Sequence, residues 1–138
     1  MISKSKINVR YAETDKMGIV HHSVYPIWYE VARTDFCKEI GFTYAKMEEE
    51  GVMTPLVGLE CKYIKPAYYD DELEVQTQIR KLTPARIEFY YEVYNNKDNT
   101  LLNIGSTAHA IVGKELTPIN LKKYNIKIWE ILSKTIEN

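Results

Sequence analysis

No stretch of this 138-residue chain is apolar for long enough to cross a bilayer. Its first ten residues, MISKSKINVR, lack the apolar core of a secretory signal. Both absences point to a cytoplasmic protein. An excess of one charge is missing too. With 18 basic and 19 acidic residues the net charge is −1, which argues against a nucleic-acid partner and against an acidic solvating tail. Cysteine is scarce: Cys37 and Cys61 fit no metal or redox spacing, and both read as reduced thiols filling core or strand positions. Internal repeats, low-complexity segments and linkers are absent. The expectation is therefore one domain spanning residues 1–138, long enough to bury one core but not two.

What is present has two periods. IleAsnValArgTyr (7–11) alternates apolar and polar, as a strand does, and residues 12–22 read as a loop around Gly18. A helix is expected from Ser23 or Tyr25 to Ile40. Pro26 suits its first turn, and Trp28, Ala32, Phe36 and Ile40 recur on one face. Gly41 stops it, and Tyr44 to Glu50 add a short helix. The period then changes to two. Strands are expected at Pro55–Ile64, 73–80, 87–94 and Leu101–Val112. In the last of these Leu102, Ile104, Ser106, Ala108, Ala110 and Val112 form the inward face. Short turns at 82–85 and 95–99 imply antiparallel pairing. A helix with Tyr124, Ile128, Ile131 and Leu132 on one side closes the chain, from Leu121 to Ser133. The economical α+β fold wraps the antiparallel sheet around the long helix. A small sheet with open edges also calls for a second copy.

Two of the three histidines stand together in ETDKMGIVHHSVYPIWYE, residues 13–30. Asp15 and His22 lie seven residues apart with Gly18 between them, just before the helix. A carboxylate can attack or deprotonate, an imidazole can donate a proton or polarise an oxygen, and helix-terminal N–H groups can hold an oxyanion. These parts suit acyl transfer to water. On residue types and spacing alone, however, Asp15 reads first as a loop residue bonding its own amides, with catalysis as the alternative. A metal site built on Glu13, Asp15, His21 and His22 is disfavoured, because adjacent histidines rarely reach one ion and no further ligand cluster completes it. Neither metal nor cofactor is expected.

The segment ArgTyrAlaGluThrAspLysMetGlyIleValHisHisSerValTyrProIleTrpTyrGluValAlaArg (10–33) resembles the opening motif of the 4-hydroxybenzoyl-CoA thioesterase-like proteins, which are hotdog-fold acyl-CoA thioesterases. ThrProLeuVal (54–57) and ProAlaTyrTyrAspAspGluLeu (66–73) match a second block of the family, and the likeness extends to about Val112. The chain departs from the pattern at Val24, where the family often has Asn, and at His21, where it often has an aromatic residue. The resemblance implies a hotdog fold and hydrolysis of an acyl- or aryl-CoA. It makes Asp15 the nucleophile or general base. The backbone N–H at His22 becomes the carbonyl-polarising donor, with the His22 side chain also implicated, and Tyr25 becomes the motif tyrosine. It implies a site at a subunit interface of a homodimer or homotetramer. Val57, Leu59 and Trp28 would line the acyl tunnel. Basic residues would meet the CoA phosphates, with Lys62, Lys65, Arg86, Arg80 and Lys81 as candidates. His21 is given a structural part and His109 a place on the surface or at an interface. The carrier is CoA or an acyl carrier protein. The alternative is a module that binds acyl-CoA or acyl carrier protein without turnover, and Asp15 weighs against it.

Overall fold

A computed structural model describes residues 1–136. Its five strands are β1 (Ser3–Asn8), β2 (Leu56–Tyr63), β3 (Glu72–Leu82), β4 (Arg86–Asn95) and β5 (Leu101–Ala110). They form one antiparallel sheet in the order β1-β3-β4-β5-β2. The expected hairpins β3–β4 and β4–β5 are there, and β1 and β2, brought in from earlier in the chain, become the two edges. The long helix α1 (Tyr25–Glu39) crosses one face of this sheet, as its apolar stripe requires. Trp28, Tyr29, Ala32 and Phe36 are buried on it. Phe36 meets Phe89 of β4 edge-on, with ring centroids 5.6 Å apart. Tyr29 lies flat on Tyr91, centroids 4.3 Å apart and planes within 6°. A short helix α2 (Tyr44–Glu49) follows, capped by the Thr43 side chain. Among the described residues no helix is long and apolar enough to cross a membrane.

Three expectations need correction. The first strand spans Ser3–Asn8 rather than 7–11. Its ladder with β3 runs from Ser3↔Thr77 to Asn8↔Glu72, and the buried residues that start it are small serines, so apolar alternation does not reveal it. The closing helix is two helices, α3 (Leu121–Tyr124) and α4 (Ile126–Lys134). Asn125 breaks the run because its own side chain caps α4, accepting from the Ile128 N–H at 3.1 Å, and Tyr124 is left largely exposed. Most instructive is β5. The face turned to α1 carries Asn103, Gly105, Thr107 and His109; of the expected inward set Leu102, Ser106 and Val112 are buried, while Ile104, Ala108 and Ala110 are only half-buried. The face turned to α1 is polar yet fully paired. Asn103 accepts the Tyr29 hydroxyl and donates to Cys61 Sγ at 3.3 Å. A Cβ on Gly105 would collide with the Tyr29 ring, so glycine is what lets that ring lie between helix and sheet.

His109 is accordingly buried in the chain at 2% exposure, not on its surface. It ends a row of hydrogen bonds in which each group donates to the next. Arg33 Nη1 donates to the Tyr91 hydroxyl at 3.2 Å. Tyr91 meets Thr107 Oγ1 at 2.6 Å, and Thr107 meets His109 Nε2 at 2.9 Å. His109 Nδ1 lies 3.1 Å from the Thr54 carbonyl, which can only accept. The ring is thus assigned as the neutral Nδ1–H tautomer, with Nε2 accepting from Thr107. Burial, helped by the nearby Arg33 charge, lowers its pKa from 6.5 to about 4.

Two outcomes follow from this packing. Gly105→Ala forces the Tyr29 ring out of register with Tyr91, and a loss of about 2 kcal/mol in a urea melt is expected. A wild-type melt would contradict the close approach. His109 binds its proton more readily unfolded than folded. Its contribution is therefore complete above pH 6.5 and is lost as pH falls toward 4, by at most about 3 kcal/mol. Urea melts of wild type and His109→Gln between pH 7.5 and 4 should show a steeper fall for wild type. Parallel curves would mean that His109 titrates as a free imidazole.

Candidate active site

The loop before α1 is built on one carboxylate. Glu13 is buried, and its Oε1 accepts the Arg10 N–H at 2.8 Å. Its Oε2 accepts the indole N–H of Trp28 at 3.0 Å. Its backbone carbonyl takes the His21 N–H at 2.9 Å. Between Glu13 and His21 the chain makes a small hairpin, with Thr14 bridged to Val20 and Ile19 to Tyr68. Asp15 sits at its turn. The Asp15 N–H bonds the Ile19 carbonyl at 2.8 Å, and Gly18 N–H returns to the Asp15 carbonyl at 2.9 Å. Gly18 has φ +84°, a conformation that side chains other than glycine's resist. Asp15 Oδ1 accepts the Met17 N–H at 2.8 Å, which fixes the carboxylate while Oδ2 makes no hydrogen bond among the described residues.

His21 and His22 do different work. His21 Nδ1 caps the helical turn His22–Val24, accepting from Ser23 N–H at 3.2 Å and meeting Ser23 Oγ at 2.7 Å. This is the structural part expected of it. The next amide, Val24 N–H, is taken by the His21 carbonyl. His22 is the first residue of that turn, so its N–H has no acceptor in the turn, and none reaches it from outside among the described residues. The Tyr63 hydroxyl, from the end of β2, donates to the His22 carbonyl at 2.8 Å and fixes the plane of the neighbouring peptide. The His22 ring is exposed and rests on the His21 ring, centroids 4.1 Å apart.

Asp15, His22, Tyr25 and Lys65 share the walls of one cavity of about 320 Å³ with Met17, Ile19 and Tyr63. Tyr25 is 3% exposed and wedged edge-on between Trp28 and Tyr63. Burial, with the Cys61 thiol adding to it, pushes its phenol up to about 12. It lines the cavity as a neutral wall, with no hydrogen bond to Asp15 or His22. The remaining expected contacts are elsewhere in this chain. Trp28 is 2% exposed, behind the cavity and committed to Glu13. Val57 and Leu59 stand exposed on the free edge strand, outside the cavity. Strand alternation sends Lys62 to the opposite face from Tyr63, beside Arg80 and Tyr90. Arg86 lies at the β3–β4 turn with Lys81 in a separate depression. Among the described residues, no three of His, Cys, Asp and Glu gather as a metal site. Sequence reasoning gave no part to Glu13 beyond a disfavoured metal ligand and overlooked Tyr63. Glu13 sits three residues from Arg10, the spacing of a reciprocal cap, and that was a signal within reach.

Comparison with known proteins bears on the family and the fold. A family model described as thioesterase-like superfamily matches residues 9–125. The putative acyl-CoA thioesterase YneP of Bacillus subtilis is 39% identical over 123 residues, 88% of each chain. The acyl-CoA thioester hydrolase YbgC of Escherichia coli O157:H7 is 34% identical over 97 residues, 70% of this chain and 72% of that one. The DHNA-CoA thioesterase structure from Staphylococcus aureus superposes with a TM-score of 0.92 at 36% identity, covering 99% of this chain and 91% of that one. The chain belongs to the thioesterase-like superfamily, as a hotdog-fold thioester hydrolase of the acyl-CoA thioesterase family.

Proposed function

We propose that the whole chain acts as one catalytic domain that hydrolyses the thioester of an acyl- or aryl-CoA, with Asp15 and the His22 backbone N–H as its reacting centre. One observation carries this reading. Asp15, whose carboxylate keeps a free oxygen, and His22, whose amide has no acceptor among the described residues, line the same cavity. The thioester oxygen accepts from His22 N–H. In the nucleophilic route Asp15 Oδ2 adds to the carbonyl carbon and the CoA thiolate leaves. Water then cleaves the mixed anhydride to release the acid. In the general-base route Asp15 takes a proton from water, the hydroxide adds, and the tetrahedral oxyanion collapses with loss of the thiolate. Both routes end in a free acid and CoA. One oxyanion donor lowers such a barrier by about 3 kcal/mol. Met17 N–H on Oδ1 keeps the carboxylate from turning away, and Lys65 at the rim suits a phosphate of the carrier. Tyr25 and Tyr63 supply the wall.

A second copy belongs to the same reading. Among the described residues the outer edge of β2 has no strand beside it. Leu56, Val57 and Leu59 on that strand are 44–54% exposed, and Ile27 and Val31 stand exposed on α1. Pairing β2 with β2 of another copy, antiparallel about a two-fold axis, covers this surface and satisfies the open edge. Val57 and Leu59 then enter the site's surroundings through the assembly rather than through the single chain.

Two measurements test these statements. Asp15→Asn keeps the Met17 bond but loses the charge. Thiol release from a panel of acyl-CoAs (acetyl to palmitoyl, plus benzoyl) should fall by about 10³ while acyl-CoA binding and the melt persist. Turnover retained in the variant would remove Asp15 from its assigned role. Sedimentation should give wild type at twice the chain mass or a multiple of it, and Leu59→Asp at the mass of one chain. A monomeric wild type would sink the dimer.

A further inference from the structure

A second cavity, of about 390 Å³, opens beside the other end of β2, between α1 and the strand's first residues. Its polar lining includes Arg33, Tyr44, Thr54 and His109, while Val52 and Pro55 make it partly apolar. Arg33 is half-buried, and among the described residues no carboxylate lies within ion-pair distance of it. A guanidinium withdrawn from water is costly unless an anion or several acceptors answer it. Its N–H groups meet only neutral acceptors, the Tyr91 hydroxyl at 3.2 Å and the Tyr44 hydroxyl, so most of the five donors remain available. The Tyr91 hydroxyl is itself tied through Thr107 to His109, so it cannot swing to take more. Glu30 and Glu48 also border the cavity, but both are exposed and neither reaches the guanidinium within 4 Å. The cavity thus offers a fixed cation fork with apolar wall beside it. A carboxylate on a short apolar chain matches both, because its two oxygens fit the fork and its methylenes fit the wall.

The position matters as much as the charge. Antiparallel pairing of two β2 edges sets the Pro55 end of one strand beside the Tyr63 end of the other. In that arrangement the Arg33 cavity of one protomer would stand next to the Asp15 cavity of its partner. We propose that Arg33 selects acyl groups that end in a carboxylate, holding the far end of the chain while the thioester sits at Asp15 of the other protomer. This rests on the thioester-hydrolase and dimer readings above. The same chemistry would also let a free dicarboxylic acid occupy the cavity.

The test compares glutaryl-CoA with valeryl-CoA, equal in chain length and different only at the tip. The kcat/KM ratio should favour glutaryl-CoA in wild type and fall tenfold or more in Arg33→Gln, the loss of one charge-assisted contact. Arg33→Lys, which keeps the charge without the fork, should fall between them, and it serves if Arg33→Gln does not fold. A wild-type ratio at or below one overturns the proposal without any variant, as does a ratio that neither variant changes. Turnover of other members of the acyl-CoA panel but of neither of these two also overturns the proposal; if wild type cleaves no thioester at all, the proposed function fails on its own. Calorimetric titration with glutarate and valerate then decides the pocket. Glutarate binding that Arg33→Gln abolishes keeps the carboxylate site and assigns it to a free acid, and no binding removes it.

Discussion

The bond between the Glu13 carboxylate and the Trp28 indole is the constraint on which the site depends. It joins the loop that carries Asp15 to the helix that carries the core. Trp28 is held in α1 by burial, so whatever bonds to its N–H inherits the helix's rigidity. Glu13 then fixes Arg10 on one side and His21 on the other, which closes the loop into a frame. A buried acceptor that loses its donor costs about 1–3 kcal/mol, enough to let an exposed loop fray locally. Asp15 and the His22 amide, each within two residues of Glu13 or next to His21, keep their mutual placement only while that frame holds. Tyr63 adds a second tie from β2 through the His22 carbonyl, so helix and sheet hold the peptides on either side of the His22 amide.

The parts of this arrangement that sequence reveals are those set by local geometry. Trp28, Ala32 and Phe36 mark α1, and the alternation at 73–80 and 87–94 marks β3 and β4, because a helix or strand repeats its own period whatever surrounds it. The Asp15 cavity is legible for the same reason. Asp15, His22 and Tyr25 lie within eleven consecutive residues, and the hairpin turned at Gly18 followed directly by α1 brings them to one cavity. Their likeness to a known motif adds roles to a placement that the loop enforces.

What sequence hides depends on partners far along the chain. On β5 the apolar alternation points to Ile104, Ala108 and Ala110, yet Asn103, Gly105, Thr107 and His109 face the helix. A polar strand face can be buried when each group finds an acceptor or donor, and here Tyr29, Cys61, Tyr91 and Thr54 supply them from four other segments. No window of sequence contains that information. Lys62 illustrates a second limit. It is one residue from Tyr63, and strand alternation alone sends the two side chains to opposite faces. Val57 and Leu59 illustrate a third, since an edge strand leaves its apolar residues idle until another edge arrives.

These limits meet in α1. Its first turn adjoins the Asp15 cavity and its third turn carries Arg33, with Ile27 and Val31 exposed between them. The sheet under the helix is correspondingly unequal. Tyr29 and Phe36 make a close-packed floor, while Arg33 reaches into the polar row that ends at His109. That row gives Arg33 a fixed address but no counter-charge. A helix serving only to fill the sheet would have no use for a guanidinium there, because an apolar residue of like volume removes the desolvation cost altogether. Keeping the charge half-buried, with tyrosine hydroxyls but among the described residues no carboxylate beside it, makes physical sense if its counter-charge comes from outside the chain.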